Sequence, residues 1–104
     1  MKSTVFRDTF TIPAAPGLTL CGWSIPTNEE PITWKYGDPR PSTIVRITGT
    51  DLLIPICVPA NAIPDICFLP LEGVACPGGI TVTVLQTADG NPITGSIFYD
   101  QEAS

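Results

Sequence analysis

There is no histidine anywhere in this 104-residue chain. Its absence removes the side chain that most often moves protons near neutral pH, and with it the serine and cysteine triads of the familiar hydrolases. Charge is scarce as well: 14% of residues are charged, against about 25% in ordinary soluble domains. A surface so poor in charge fits a protein that covers much of itself in an oligomer or on a larger assembly, because interface centres are depleted of charge. The basic residues are few and scattered, Lys2, Arg7, Lys35, Arg40 and Arg46. They form no stripe, so direct binding to DNA or RNA is not expected. No apolar run approaches the roughly 18 residues needed to cross a bilayer. Residues 1–11 lack the apolar stretch of a secretory signal. A protein made in a cytoplasm, with no membrane partner, is the expectation.

Close cysteine pairs are missing too. Cys21, Cys57, Cys67 and Cys76 form no C-x-x-C motif, so neither a zinc site nor any other metal centre is expected. Each sits among apolar neighbours, which predicts buried free thiols in a reducing cytosol. A Cys57–Cys67 or Cys67–Cys76 bridge stays open for a chain released into an oxidising medium.

What the chain does have is twelve prolines and a series of short β-rich segments. Residues 4–12 place Phe6, Phe10 and Ile12 on one face at period two, with Asp8 interrupting it. Residues 1–12 read as an extended N-terminal arm or a first strand, and residues 13–104 as a single β-sandwich domain. Deleting residues 2–12 is expected to weaken assembly while leaving the core folded. Residues 18–25 form a second strand, in which Gly22 marks a bulge or a close backbone approach. A polar acidic loop, residues 26–31, leads to a third strand at 32–36. Gly37-Asp38-Pro39-Arg40-Pro41 makes a turn. Residues 42–49 form a fourth strand.

The apolar runs 51–58 and 63–69 contain or border Pro55, Pro59, Pro64 and Pro70. Proline donates no ladder hydrogen bond, so these are edge strands or extended cover segments. They echo each other, but the period is too short for a repeat architecture. Ile80, Val82 and Val84 alternate with Thr81 and Thr83 in the clearest strand, 80–86. Asp89-Gly90-Asn91-Pro92 is a turn, and residues 94–100 are the last strand. No window carries a helical period. The fold class is all-β: an antiparallel β-sandwich or jelly-roll-like barrel of about 7–8 short strands.

Candidate chemistry is thin. A lysine base would be Lys2 or Lys35, and both lie in unremarkable sequence contexts. Glu29, Glu30, Asp38, Asp51, Asp65 and Asp89 fall in loops or at strand ends, where acids are ordinarily solvated rather than paired for sugar hydrolysis. Asp89-Gly90-Asn91 lacks the further ligands of a calcium loop. Gly78-Gly79 lacks the context of a phosphate loop. No cofactor and no catalytic residue are expected. The aromatics are richer. Phe6 and Phe10 on the arm, with Trp23, Trp34 and Tyr36 on strands two and three, are the candidate interface residues. One tryptophan is expected to fill the core. The same aromatics could instead stack on sugar rings, which keeps a small carbohydrate- or surface-binding module open as the alternative. A hydrolase using loop carboxylates is a third class.

Several segments together resemble the small β-sandwich accessory proteins of tailed bacteriophages, of the decoration or cement type. They are Leu20-Cys21-Gly22-Trp23-Ser24-Ile25, Lys35-Tyr36-Gly37-Asp38-Pro39, the proline-bounded stretch 56–71, Gly79-Ile80-Thr81-Val82-Thr83-Val84 and Gly95-Ser96-Ile97-Phe98-Tyr99-Asp100. The match is fullest over the last thirty or so residues. It departs in its cysteines and in the proline load between residues 55 and 77. The resemblance implies a non-enzymatic structural protein of the virion, made in the host cytoplasm. It also implies a homo-oligomer, commonly a trimer, that clamps the major capsid protein or a tail protein, with a head-fibre or tail accessory role as a variant.

Overall fold

In the computed structural model, residues 2–27, 33, 35–69, 73–88 and 90–101 are described. They form nine strands in two antiparallel sheets, with no helix among the described residues. The strands are β1 (Lys2–Phe6), β2 (Phe10–Ile12), β3 (Thr19–Ile25), β4 (Ser42–Thr48), β5 (Leu53–Pro59), β6 (Asp65–Phe68), β7 (Val74–Ala75), β8 (Ile80–Gln86) and β9 (Gly95–Asp100). One sheet, A, runs β1-β9-β3-β6, with β7 beside β6 on the same flank of β3; the other, B, runs β2-β8-β4-β5. The all-β sandwich is the expected fold.

The core lies between the sheets, where period-two alternation turns every second side chain inward. Sheet A contributes Leu20, Trp23, Ile25 and Ile97, and sheet B contributes Val45, Ile47, Ile56, Val58, Ile80 and Val82, all buried. Burying each of these isoleucines stabilises the fold by about 1.5–3 kcal/mol. Among the described residues Thr43 is the one buried polar side chain, and its Oγ1 accepts the Ala88 N–H at 3.0 Å. That bond satisfies the hydroxyl and fixes the exit of β8.

The N-terminal segment departs from a single arm. It is two strands, broken where Asp8 Oδ1 accepts the Thr9 N–H at 2.9 Å. β1 pairs with β9 along Lys2↔Tyr99 to Phe6↔Gly95, and β2 pairs with β8 along Phe10↔Val82 to Ile12↔Ile80. The segment therefore crosses from one sheet to the other and puts Phe6 and Ile12 into the core. Removing residues 2–12 would strip β8 and β9 of partners and empty two core sites. Loss of the β-sheet circular dichroism of the isolated domain is the expected outcome, in place of a folded truncated core.

The expected third strand, 32–36, is not formed where it is described. Thr33 and Lys35 lie outside any strand, and Tyr36-Gly37 is a turn closed by Asp38 N–H to Lys35 C=O at 3.1 Å. Residues 28–32 and Trp34 fall outside the described residues. Sequence reading also missed β7, whose two residues are too few to show alternation.

Gly22 meets its expectation in both senses. The β3–β9 register slips between Leu20 and Gly22, which makes Cys21 a bulge. On the other side, a Cβ at Gly22 would collide with the Cys67 carbonyl oxygen. β6 can approach β3 only because no side chain stands there.

Candidate functional site: the outer face and edge of sheet A

Two rows of side chains cross the outer face of sheet A. Register aligns Val5, Ser96, Ser24 and Ile66 in one row and Ser3, Phe98, Gly22 and Phe68 in the next. No position in either row is charged. Phe68 and Phe98 both pair with Gly22, one from each side, and their rings stack over it at 5.3 Å with planes 17° apart. The glycine leaves the floor that the two rings cover. Val5, Ile66 and Phe68 remain 61%, 58% and 64% exposed. Small serines fill the gaps between them, so the face is low and apolar.

The inner side of the same strands explains why these residues point outward. Trp23 is buried opposite Cys67, and its indole N–H donates to Asp65 Oδ2 at 2.8 Å. Asp65 and Cys67 thus face inward, which forces Ile66 and Phe68 to face out.

The expected interface residues divide. Phe6 and Trp23 are core residues: Phe6 departs from the interface expectation, and Trp23, also an interface candidate, is the tryptophan expected to fill the core. Phe6 lies over its register partner Gly95, where an added Cβ would come within 2.6 Å of the Phe6 ring. Phe10 is half-buried against the core and Tyr36 is fully exposed in its turn, while Trp34 lies outside the described residues. The structure does not bring Trp23 and Tyr36 into one platform, so a sugar-stacking surface loses one of its three aromatics. Ile66, Phe68 and Phe98 were missed. The signal was present as alternation in Ile66-Cys67-Phe68, but its parity was unreadable without the partner strand.

The cysteines depart from uniform burial. All four are free thiols; Cys76 is buried, Cys21 and Cys67 are half-buried, and Cys57 is exposed. Cys57 shares its parity with Ile44 on the outer face of sheet B. Burial pushes the Cys76 thiol up from its ordinary value. Burial also raises Cys21, helped by its hydrogen bond to Asp100 Oδ2 at 3.5 Å. Neither is an activated nucleophile, since reactivity requires a lowered pKa.

Elsewhere the chemistry stays sparse. Among the described residues no three of Cys, Asp and Glu gather around a point that could hold a metal. Asp65 is committed to the Trp23 indole, while Asp38 and Asp51 lie in different connections. Glu29, Glu30 and Asp89 fall outside the described residues. A shallow cleft of about 360 Å³ on sheet B is lined by Thr11, Thr48, Thr50 and Thr81. Its groups bond one another: Thr11 and Thr81 hydroxyls at 3.4 Å, and Gly78 N–H to Thr50 Oγ1 at 3.0 Å. It holds hydroxyls and no acid, base or nucleophile. Comparison with protein-family models, with curated proteins and with solved structures finds no match.

Proposed function

We propose that this chain is a non-enzymatic structural protein that binds another protein surface, and that it serves as an accessory of the decoration or cement type on a tailed-phage particle. The observation that carries this reading is the uncharged outer face of sheet A, with Ile66, Phe68 and Phe98 exposed or partly exposed over Gly22 and three serines. An exposed apolar patch with no charge at its centre has the composition of a protein interface core. Of the segments that resemble phage accessory proteins, 20–25, 79–84 and 95–100 fall on β3, β8 and β9 and 56–71 spans β5 and β6, while 35–39 is a turn outside any strand; β3, β6 and β9 build that face. It carries serine hydroxyls but no acid or base beside them to activate one.

The test is co-sedimentation of the purified protein with assembled tailed-phage capsid shells from the same source. Wild type is expected to pellet in stoichiometric amounts, and a Phe98→Ser, Val5→Ser double variant to stay in the supernatant. Failure to pellet, together with binding on a glycan array, would replace this reading with the carbohydrate-binding one.

A further inference from the structure

We propose that β6 is the pairing edge for a second copy of this chain, in a two-fold antiparallel arrangement centred on Cys67. The two sheets end in four edges, and those at β5, β1 and β2 are finished with proline, with lysine and with a strand of only three residues. β5 places Pro55 and Pro59 opposite Arg46 and Ser42. The hydrogen bonds Gly49 N–H to Leu52 C=O and Ala60 N–H to Pro41 C=O flank this ladder. Bonded pairs alternate with unbonded ones in an antiparallel ladder, so 43↔58, 45↔56 and 47↔54 are bonded. Residues 53, 55, 57 and 59 turn their main chain to the free edge, and two of those four have no N–H to offer. β1 begins with Lys2, an edge charge, and β2 is three residues long. Lysine, proline and shortness are the usual ways of closing an edge.

β6 is short as well, at four residues, but it carries no lysine and no proline within its span, so each of its outward N–H groups is available. Leu69 N–H donates to Cys21 C=O at 2.8 Å. The same alternation makes 23↔67 and 25↔65 the bonded pairs with β3. The N–H and C=O groups of Ile66 and Phe68 therefore point away from β3. Among the described residues no strand pairs on that side.

A second copy completes this edge. Rotation about Cys67 sets Ile66 opposite Phe68 of the partner and Phe68 opposite Ile66 of the partner. Each outward N–H then meets an outward C=O, giving four main-chain hydrogen bonds. On the outer face, the Phe98–Phe68 stack continues onto the partner's Ile66. Charge does not oppose the contact: Asp65 falls opposite Leu69 of the partner, and like charges do not meet although each chain carries −5. The area sets the strength. Ile66 and Phe68 are 58% and 64% exposed, and side chains of this class hold on the order of 100 Å² of apolar surface each. The apolar contribution is well under the roughly 800 Å² per partner of a standard interface. The dimer is accordingly a concentration-dependent one. The pairing does not rest on the virion reading, because it needs no capsid.

Cys67 turns its main chain toward β3, so Cys67 and its symmetry mate form a non-bonded pair, with Cα atoms about 4.5 Å apart. That separation lies within the range a disulfide spans. The first test is light scattering of the full chain over a range of concentrations, with copper–phenanthroline oxidation of a Cys57→Ser variant in parallel. The mass is expected to rise toward twice the 11.1 kDa chain. Oxidation is expected to yield a covalent dimer that disappears on adding Cys67→Ser. Ile66→Pro removes an N–H that the chain itself does not use, as Pro55 does in β5. It is expected to be monomeric, with a melting curve that matches wild type at concentrations where wild type is also monomeric. Phe68→Lys gives the same reading if Ile66→Pro does not fold. The Phe98→Ser, Val5→Ser variant strikes the face and not the edge, so it should lose capsid binding and keep the dimer. A wild-type monomer up to about 1 mM, a mass of three chains, or a dimer that survives both edge variants would overturn the pairing.

Discussion

The edge strands β5 and β6 carry nearly the same segment, Pro55-Ile56-Cys57-Val58 in one and Asp65-Ile66-Cys67-Phe68 in the other. β5 closes sheet B and β6 closes sheet A. In β5 the residues flanking the cysteine, Ile56 and Val58, are buried and Cys57 is exposed. In β6 the flanking Ile66 and Phe68 are exposed and Cys67 is turned in. A shift of parity by one residue has inverted which half of the pattern the core receives. The two edges are also finished differently. Pro55 and Pro59 stand inside β5 at positions facing away from β4, whereas in β6 the residue that replaces proline is Asp65, bonded to Trp23. One edge is closed by its own residues. The other remains open and carries the apolar surface.

The largest test of that inversion is a pair of matched truncations. Ile56→Ala is expected to cost about 2–5 kcal/mol, as a cavity in a packed core does. Ile66→Ala, the same change at the echoing position, should stay within about 0.5 kcal/mol, as exposed sites do. Urea unfolding of both variants at low protein concentration decides it, and equal losses would show that the parities do not differ.

Asp65 offers the next effect. Asp65→Ala leaves the Trp23 indole N–H buried without an acceptor, a cost of about 1–3 kcal/mol. Its counterpart Pro55→Ala leaves no buried donor unpaired and should be near neutral. Thermal melts of the two variants, with tryptophan emission as the probe, separate them.

Thiol labelling sharpens the comparison without mutation. Cys57 should react several-fold faster than Cys67 with a maleimide, and Cys76 slowest of all, because exposure and the thiolate fraction both limit the rate. The pKa of Cys21 is raised by burial and by Asp100. Less thiolate is then present at a given pH, so its labelling should climb at a higher pH than that of a free model thiol. Mass spectrometry of timed digests reads all four sites.

The smallest stability effect is expected from reopening β5. Pro55→Val with Pro59→Val restores two outward N–H groups and should shift stability by no more than about 0.5 kcal/mol. Self-association should nevertheless rise, because an edge with a full set of donors templates another strand. Light scattering alongside wild type checks it.

Much of this was legible from residues alone. Prolines 55 and 59 marked an edge, since an interior strand cannot spare their hydrogen bonds. Ile80, Val82 and Val84 announced an inward face, and Gly22 announced both a bulge and a close approach. The candidate site was not legible in the same way. Trp23, Trp34 and Tyr36 look alike in sequence, yet Trp23 is placed in the core by the acceptor that Asp65 provides forty-two residues later. Phe6 is placed there by the absence of a side chain at Gly95.

By itself the sequence determined that this chain is all-β and short-stranded, a sandwich or a jelly-roll-like barrel, poor in charge and without histidine, with prolines marking its edge segments. Those properties depend on composition and on alternation along a few residues. Only the tertiary structure decided which half of each alternation faces the core, which thiol faces solvent, and that sheet A leaves both an apolar face and an open edge. Parity is set by a partner strand distant in the chain, as β1 is by β9 and β6 by β3, and period two is identical whichever face is buried.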